Sequence, residues 1–204
     1  MQYKITQEEA QKAKIPFHIY NFNILITHLF LAYTILEIGH GKMAPFLLIP
    51  AISTTVILYI CSQVKKKLPE SWYVAANWMV ACRRGKLLIG SYIVAIAMMG
   101  LYLLVDTLFP GGMSMQDFSN PEGGKTNIMQ VVTMYFSGLV VFVTVLVTFI
   151  QTGISVFEAG QGILNDKIEQ YLPRPEDQNP PLGKSEDEKA PEDIANLDRP
   201  GATE

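Results

Sequence analysis

The sequence predicts an all-α integral membrane protein: four transmembrane helices in an antiparallel bundle, a fourth helix extended into the cytoplasm, and a disordered acidic C-terminal tail. Three observations predict it. Apolar residues make up 49% of the 204-residue chain and charged residues only 17%, which is too apolar for an ordinary soluble domain once the polar tail is set aside. The apolar residues are bunched into four blocks, at about 20–39, 43–64, 87–109 and 128–150, each near the ~20 residues that cross the hydrocarbon layer as a helix. Charge is split as well: residues 1–172 hold twelve Lys and Arg against ten acids, a net of +2, and residues 173–204 hold four against nine, a net of −5. Neither value points to nucleic acid, and the basic residues are placed for orientation in a bilayer.

Residues 1–19 form a polar N-terminal segment in which Thr6, then Glu8 and Glu9, then Lys12 and Lys14 suit a short surface helix. The first apolar block lacks a small-residue cleavage pattern and is expected to remain as a span. Tyr20, Asn23, Thr27, Phe30, Thr34 and Glu37 share one of its faces, with His28 one position off that stripe. Polar groups in hydrocarbon need partners, so this face is expected to turn into the bundle. The turn Ile38 to Lys42 is short and makes the first two spans antiparallel neighbours. Span two carries Pro45 near its start and Pro50 inside, where a kink is expected, with Ser53, Thr54 and Thr55 one turn on to serve the freed backbone groups.

The connection from Lys65 to Lys86 holds six basic residues against one acid, while the other two connections hold one Lys each, Lys42 and Lys125. By the positive-inside rule it is cytoplasmic, and so are both termini. Cys61 and Cys82 form no CxxC pair and fall near that face, where free thiols are expected. Residues 68–82 suit either an interfacial helix with Trp72, Tyr73 and Trp78 at headgroup level or an inward extension of span three. Span three is rich in small residues, Gly90, Ser91, Ala95, Ala97 and Gly100, which permit close helix contact. Asp106 marks its outer end, and a Gly- and Pro-rich outer loop follows.

Span four carries Gln130, Ser137, Thr144, Gln151 and Glu158 at intervals of seven, with Thr148 and Ser155 on the same face. Beyond the membrane, Ile150, Ile154, Phe157, Leu164, Ile168 and Tyr171 continue a coiled-coil-like spacing, predicting a helical extension over 151–172 that needs a partner helix. Phe157, Leu164, Ile168 and Tyr171 are its candidate partner-binding residues. Pro173 and Pro175 end it, and the tail 173–204, with six prolines and nine acids, is expected to be disordered.

The motifs of common enzymes, a Walker loop, HExxH, CxxC and GxSxG, are absent from the sequence, and no catalytic or metal site is expected. His28 is the one candidate cofactor ligand. His18 and His40 stand ten and twelve residues from it, about 15 and 18 Å along a helix, so no two histidines of one chain can share a haem. A haem at His28 then needs a second copy, a Met of span three or a partner. Glu37, His40 and Asp106 form a possible polar cluster at the outer face. The stripe of Gln130, Ser137, Thr144, Thr148, Gln151 and Ser155 reads as a packing seam or, in an oligomer, as a pore lining.

Three functions fit. The first is a non-enzymatic inner-membrane subunit that packs against, or helps assemble, a larger membrane protein complex of respiratory or secretion type. The second is a self-oligomerising channel, transport or effector protein. The third is a haem- or quinone-binding anchor. The expected partners are the bilayer and other membrane subunits or further copies of the chain.

Overall fold

A computed structural model of the chain describes residues 1–38, 44–109, 114–116, 125–175 and 178–182. Four helical runs are long and apolar enough to cross a membrane: Gln7–Ile35, Pro45–Lys67, Trp72–Leu108 and Ile128–Gly160. Thr6 starts α1 (Gln7–Ile24) through a capping box. Its hydroxyl accepts from the Glu9 amide at 3.2 Å while the Glu9 carboxylate accepts from the Thr6 amide at 2.8 Å, serving two orphan donors reciprocally. The helix then runs unbroken through Pro16, widens into a π-helical turn over Leu25–Leu31 and continues as α2 (Ala32–Ile38). The polar N-terminal residues are therefore the opening turns of the span-one helix, and the separate surface helix expected within 1–19 is not formed.

A 3₁₀ turn over Ala44–Leu47 leads into α3 (Leu48–Lys67). Pro50 thus falls in the first α turn, where backbone N–H groups have no intrahelical partner to lose, and it begins the helix where a mid-span kink was expected. Ser71 caps α4 (Trp72–Leu108), accepting from the Val74 amide at 3.5 Å. At 37 residues, about 55 Å, α4 exceeds the hydrocarbon thickness; residues 72–82 are the opening turns of the same helix and do not form a separate one. Ser53 meets Tyr92, Ile57 meets Gly85 and Cys61 meets Cys82, so residue numbers fall on α4 as they rise on α3. A Cβ at Gly85 would collide with Ile57.

Cys61 and Cys82 are joined by a disulfide, with Cα atoms 4.9 Å apart. This corrects the expectation of free thiols. Their separation of 21 residues carries no motif, but the tight turn at 68–71 folds α4 back along α3 and brings the two side chains to one level.

In the connection between α4 and the last helix, β1 (Ser114–Gln116) and β2 (Lys125–Asn127) form an antiparallel ribbon with Ser114 opposite Asn127, where turns alone were expected. Asn127 then caps α5 (Ile128–Gly160), accepting from the Met129 and Gln130 amides. The end of α5 overturns a larger expectation. Gly162 takes φ +76°, and the amides of Gln161 and Ile163 both donate to the Glu158 carbonyl at 3.0 Å. This is a Schellman-type stop that only a residue tolerant of positive φ accepts without strain. The helical rod expected over 151–172 ends here, and the chain folds back.

The returning segment builds a cap around the N-terminal end of α4. Tyr3 N donates to the Gly162 carbonyl at 2.8 Å, Leu164 N to the Met1 carbonyl at 2.9 Å, Lys4 N to the Pro180 carbonyl at 3.0 Å and Leu182 N to the Gln2 carbonyl at 2.8 Å. The first four residues are thereby clamped between two stretches of the C-terminal chain. Gln178 Oε1 accepts from the Trp72 amide at 3.0 Å and Asn179 Oδ1 from the Tyr73 amide at 3.2 Å, serving donors that α4 leaves open. Residues 178–182, expected to be disordered with the rest of the tail, are held by these bonds; 183–204 lie outside the described residues. Tyr3, Phe17, Trp72, Tyr73, Leu164 and Ile168 belong to one buried cluster with Ile57, Ile60 and Leu88, so the cap is continuous with the core of the helix bundle. Beyond Tyr92, no residue of α4 through Leu108 is buried.

Candidate functional site

The π-helical turn places the most elaborate polar arrangement inside the membrane-length helices. An extra residue per turn re-aims side chains, and such turns recur at functional positions. Here the turn carries Thr27 inward and His28 toward α4. Thr27 Oγ1 lies 2.6 Å from the Asn23 carbonyl and 2.8 Å from His28 Nδ1. His28 Nε2 lies 2.6 Å from the Tyr92 hydroxyl, Tyr92 lies 3.0 Å from Ser53 Oγ, and Asn23 Nδ2 donates to Ser53 Oγ at 2.9 Å. The five bonds close a ring that begins at the side chain of Asn23 and ends at its own carbonyl. Asn23, Thr27, Ser53 and Tyr92 are buried, and His28 is half-buried.

Proton counting shows how tightly the ring is specified. Five bonds need five hydrogens, and the members supply them if neutral His28 carries its proton on Nδ1. Donation then runs in one sense: Asn23 to Ser53, Ser53 to Tyr92, Tyr92 to Nε2, Nδ1 to Thr27, Thr27 to the Asn23 carbonyl. If Tyr92 donates to Ser53 instead, neutral His28 must carry its proton on Nε2. Thr27 can then serve Nδ1 or the Asn23 carbonyl but not both. Tautomer and ring direction are linked. Both imidazole nitrogens lie within hydrogen-bond distance of a hydroxyl, so an axial bond to haem iron at His28 displaces the Tyr92 or the Thr27 hydroxyl. Asn23 Oδ1 has no partner among the described residues.

The seam of α5 lies on the face turned toward α1 and α4. Ser137, Thr148 and Ser155 are buried, Thr144 is half-buried, and Gln130 and Gln151 are exposed. Thr144 and Thr148 donate to carbonyls one turn back, those of Val140 and Thr144, at 2.8 and 2.7 Å. Ser155 donates to Glu158 at 3.2 Å, and Ser137 Oγ has no partner among the described residues. Thr152, which the seven-residue spacing skipped, is fully buried and donates to Asn21; its position one turn after Thr148 was the available signal.

The four candidate partner-binding residues part company. Leu164 and Ile168, at 5% and 3% exposure, are covered by the chain's own cap, whereas Phe157 is 67% exposed. Tyr171 is exposed at its edge but carries the Arg83 guanidinium 3.7 Å over its ring, a cation–π contact. The heptad face therefore does not persist as one surface, because the helix that would carry it stops at Gly160. At the end of the bundle away from the cap, Asp106 accepts from Asn127 Nδ2 at 3.2 Å, tying the end of α4 to the start of α5. Glu37 is exposed, and His40 lies outside the described residues. Among the described residues, no group of three or more His, Cys, Asp or Glu side chains is placed to hold a metal ion.

Comparison with protein families, curated proteins and solved structures finds no match to this chain.

Proposed function

We propose that this chain is a non-enzymatic, multi-pass subunit of the inner membrane that packs against, or helps assemble, a larger membrane protein complex, with its antiparallel helix bundle set so that both termini are cytoplasmic. One observation carries the reading. On the face of α5 opposite its polar seam, Phe142, Leu146, Ile150, Ile154 and Phe157 are exposed, the last two at 54% and 67%. The Arg84 guanidinium meets the Gln151 carbonyl at 2.9 Å, which sets the level of the basic belt. Phe157 stands six residues beyond Gln151, about 9 Å further along the axis, past the depth that lipid tails cover. A large apolar side chain held exposed there on a rigid helix suits a protein partner.

Other placements agree with it. The hydroxyl seam is turned mainly into the chain's own bundle, leaving the outward face of α5 apolar, which favours a protein or lipid neighbour over a water-filled conduit. His28 has a hydroxyl within hydrogen-bond distance of each ring nitrogen, which favours a structural clasp over a haem ligand. The test is affinity purification of the full chain from native membranes, with Ile154→Asp and Phe157→Asp as variants. Co-purification of other membrane proteins that the variants lose supports the reading. A homogeneous self-oligomer as the sole species, unchanged by both variants, refutes it.

A further inference from the structure

Between the inner parts of α4 and α5 lies a cavity of about 490 Å³, bordered among others by Asn77, Arg84, Gln151, Ile154, Ser155 and Glu158. Four residues that carry a charged group border it: Met1, Arg84, Glu158 and Asp166. Met1 and Asp166 are paired with each other at 2.7 Å. Arg84 and Glu158 have no ion-pair partner among the described residues. Arg84 spends one N–H on the Gln151 carbonyl and keeps further donors of its planar fork, while Glu158 accepts only a hydroxyl bond from Ser155. A cation and an anion that feel each other's charge but form no contact ion pair, lining one cavity, are complementary to a ligand that carries both charges.

Their spacing narrows that ligand. Glu158 follows Gln151, whose carbonyl Arg84 touches, by seven residues, about 10 Å along α5. The bond with Ser155 leans its carboxylate back toward Arg84. The gap suits an anionic group and an ammonium joined by a short spacer. Depth narrows it further. Leu87 and Ile150, both exposed, lie on the membrane side of Arg84 and Gln151, where acyl chains would run if the polar group sat in the cavity. We propose that this cavity holds the zwitterionic headgroup of a phospholipid of the ethanolamine type, with its phosphate on Arg84 and its ammonium on Glu158. An anionic lipid would satisfy Arg84 but set its negative charge against the Glu158 carboxylate.

The test uses the full chain in mild detergent, delipidated, and native mass spectrometry of its adducts. The probes are phosphatidylethanolamine, phosphatidylglycerol and the water-soluble glycerophosphoethanolamine. The expected result is retention of phosphatidylethanolamine at least about tenfold more tightly than phosphatidylglycerol, with the soluble headgroup much weaker than either lipid. Glu158→Gln, which keeps the acceptor for Ser155, abolishes the preference without loss of phosphatidylglycerol. Arg84→Gln weakens both lipids, and Arg84→Lys, which keeps the charge if the glutamine variant does not fold, retains the preference. Equal binding of the two lipids by the unaltered chain, an undiminished preference in Glu158→Gln, or full occupancy by the soluble headgroup alone overturns the proposal.

Discussion

Thr27→Val and Tyr92→Phe each cut the His28 ring on a different side of the imidazole while keeping side-chain shape. Thr27 gives up contacts of 2.6 and 2.8 Å and Tyr92 contacts of 2.6 and 3.0 Å. Side-chain hydrogen bonds inside membrane proteins contribute on average ~0.6 kcal/mol and at most about 1.7, so each variant should lose about 1–3 kcal/mol of stability. The two residues share no bond with each other. Were the contacts independent, the losses would add within about 0.3 kcal/mol. In a closed ring whose direction is set by one histidine tautomer, the first cut already removes the orientation that the second bond depends on. The double variant should then cost about 0.5–1 kcal/mol less than the sum, a coupling of the size found for residues in one network. Equilibrium unfolding in mixed micelles measures all four corners of the cycle. Strict additivity, or single losses too small to resolve, would show that the ring is a set of incidental contacts.

Three further outcomes follow from the cap and its neighbours. Gly162→Ala places a side chain at φ +76° with its Cβ 2.6 Å from the Tyr3 carbonyl; a left-handed non-glycine residue costs about 1–2 kcal/mol, so hydrogen exchange at residues 1–4 and 161–164 should speed up about tenfold, and an unchanged pattern would refute the stop assigned to α5. Burial, and then the hydrogen bond to Glu169, push the Tyr3 phenol up to about 12 from 10.0; the released segment ionises first, so docking is fully present below pH 10 and is lost as pH rises through 12. Tryptophan fluorescence, with Trp72 5.2 Å from the Tyr3 ring, should report that transition, and Tyr3→Phe should remove it. The disulfide is tested directly: alkylation of freshly broken cells should leave Cys61 and Cys82 unlabelled until a reductant is added, and labelling of both thiols without it would refute the bond.

The four long apolar helices were legible because hydrophobic block length is imposed by bilayer thickness; of the stripe expected to face inward, Tyr20, Asn23 and Thr27 are buried, whereas Phe30, Thr34 and Glu37, within and beyond the π turn, are exposed. Tyr92 and Ser53 were not recognised as partners for this face: which polar residues of three helices meet at one depth depends on helix tilt and on the π turn at Leu25–Leu31, neither of which leaves a periodic mark. The cap escaped for a different reason. Leu164 and Ile168 do fall at heptad spacing, but their need for burial was assigned to a partner helix, whereas the chain's own cap covers them. A glycine just past an apolar helical run is a left-handed stop, and the stop at Gly162 sends both residues under Tyr3 and Trp72. The polar tail concealed Gln178 and Asn179, whose side chains work as caps for a helix more than a hundred residues away.

The proposed role rests most directly on what touches Phe157 in the cell. A photo-reactive phenylalanine analogue at position 157, irradiated in intact native membranes, should join the chain to a different membrane protein and give a discrete adduct of higher mass, while the same analogue at the buried Tyr92 gives none. Adducts at position 157 only to lipid, or only to a second copy of this chain, would contradict the assignment as a subunit of a larger complex.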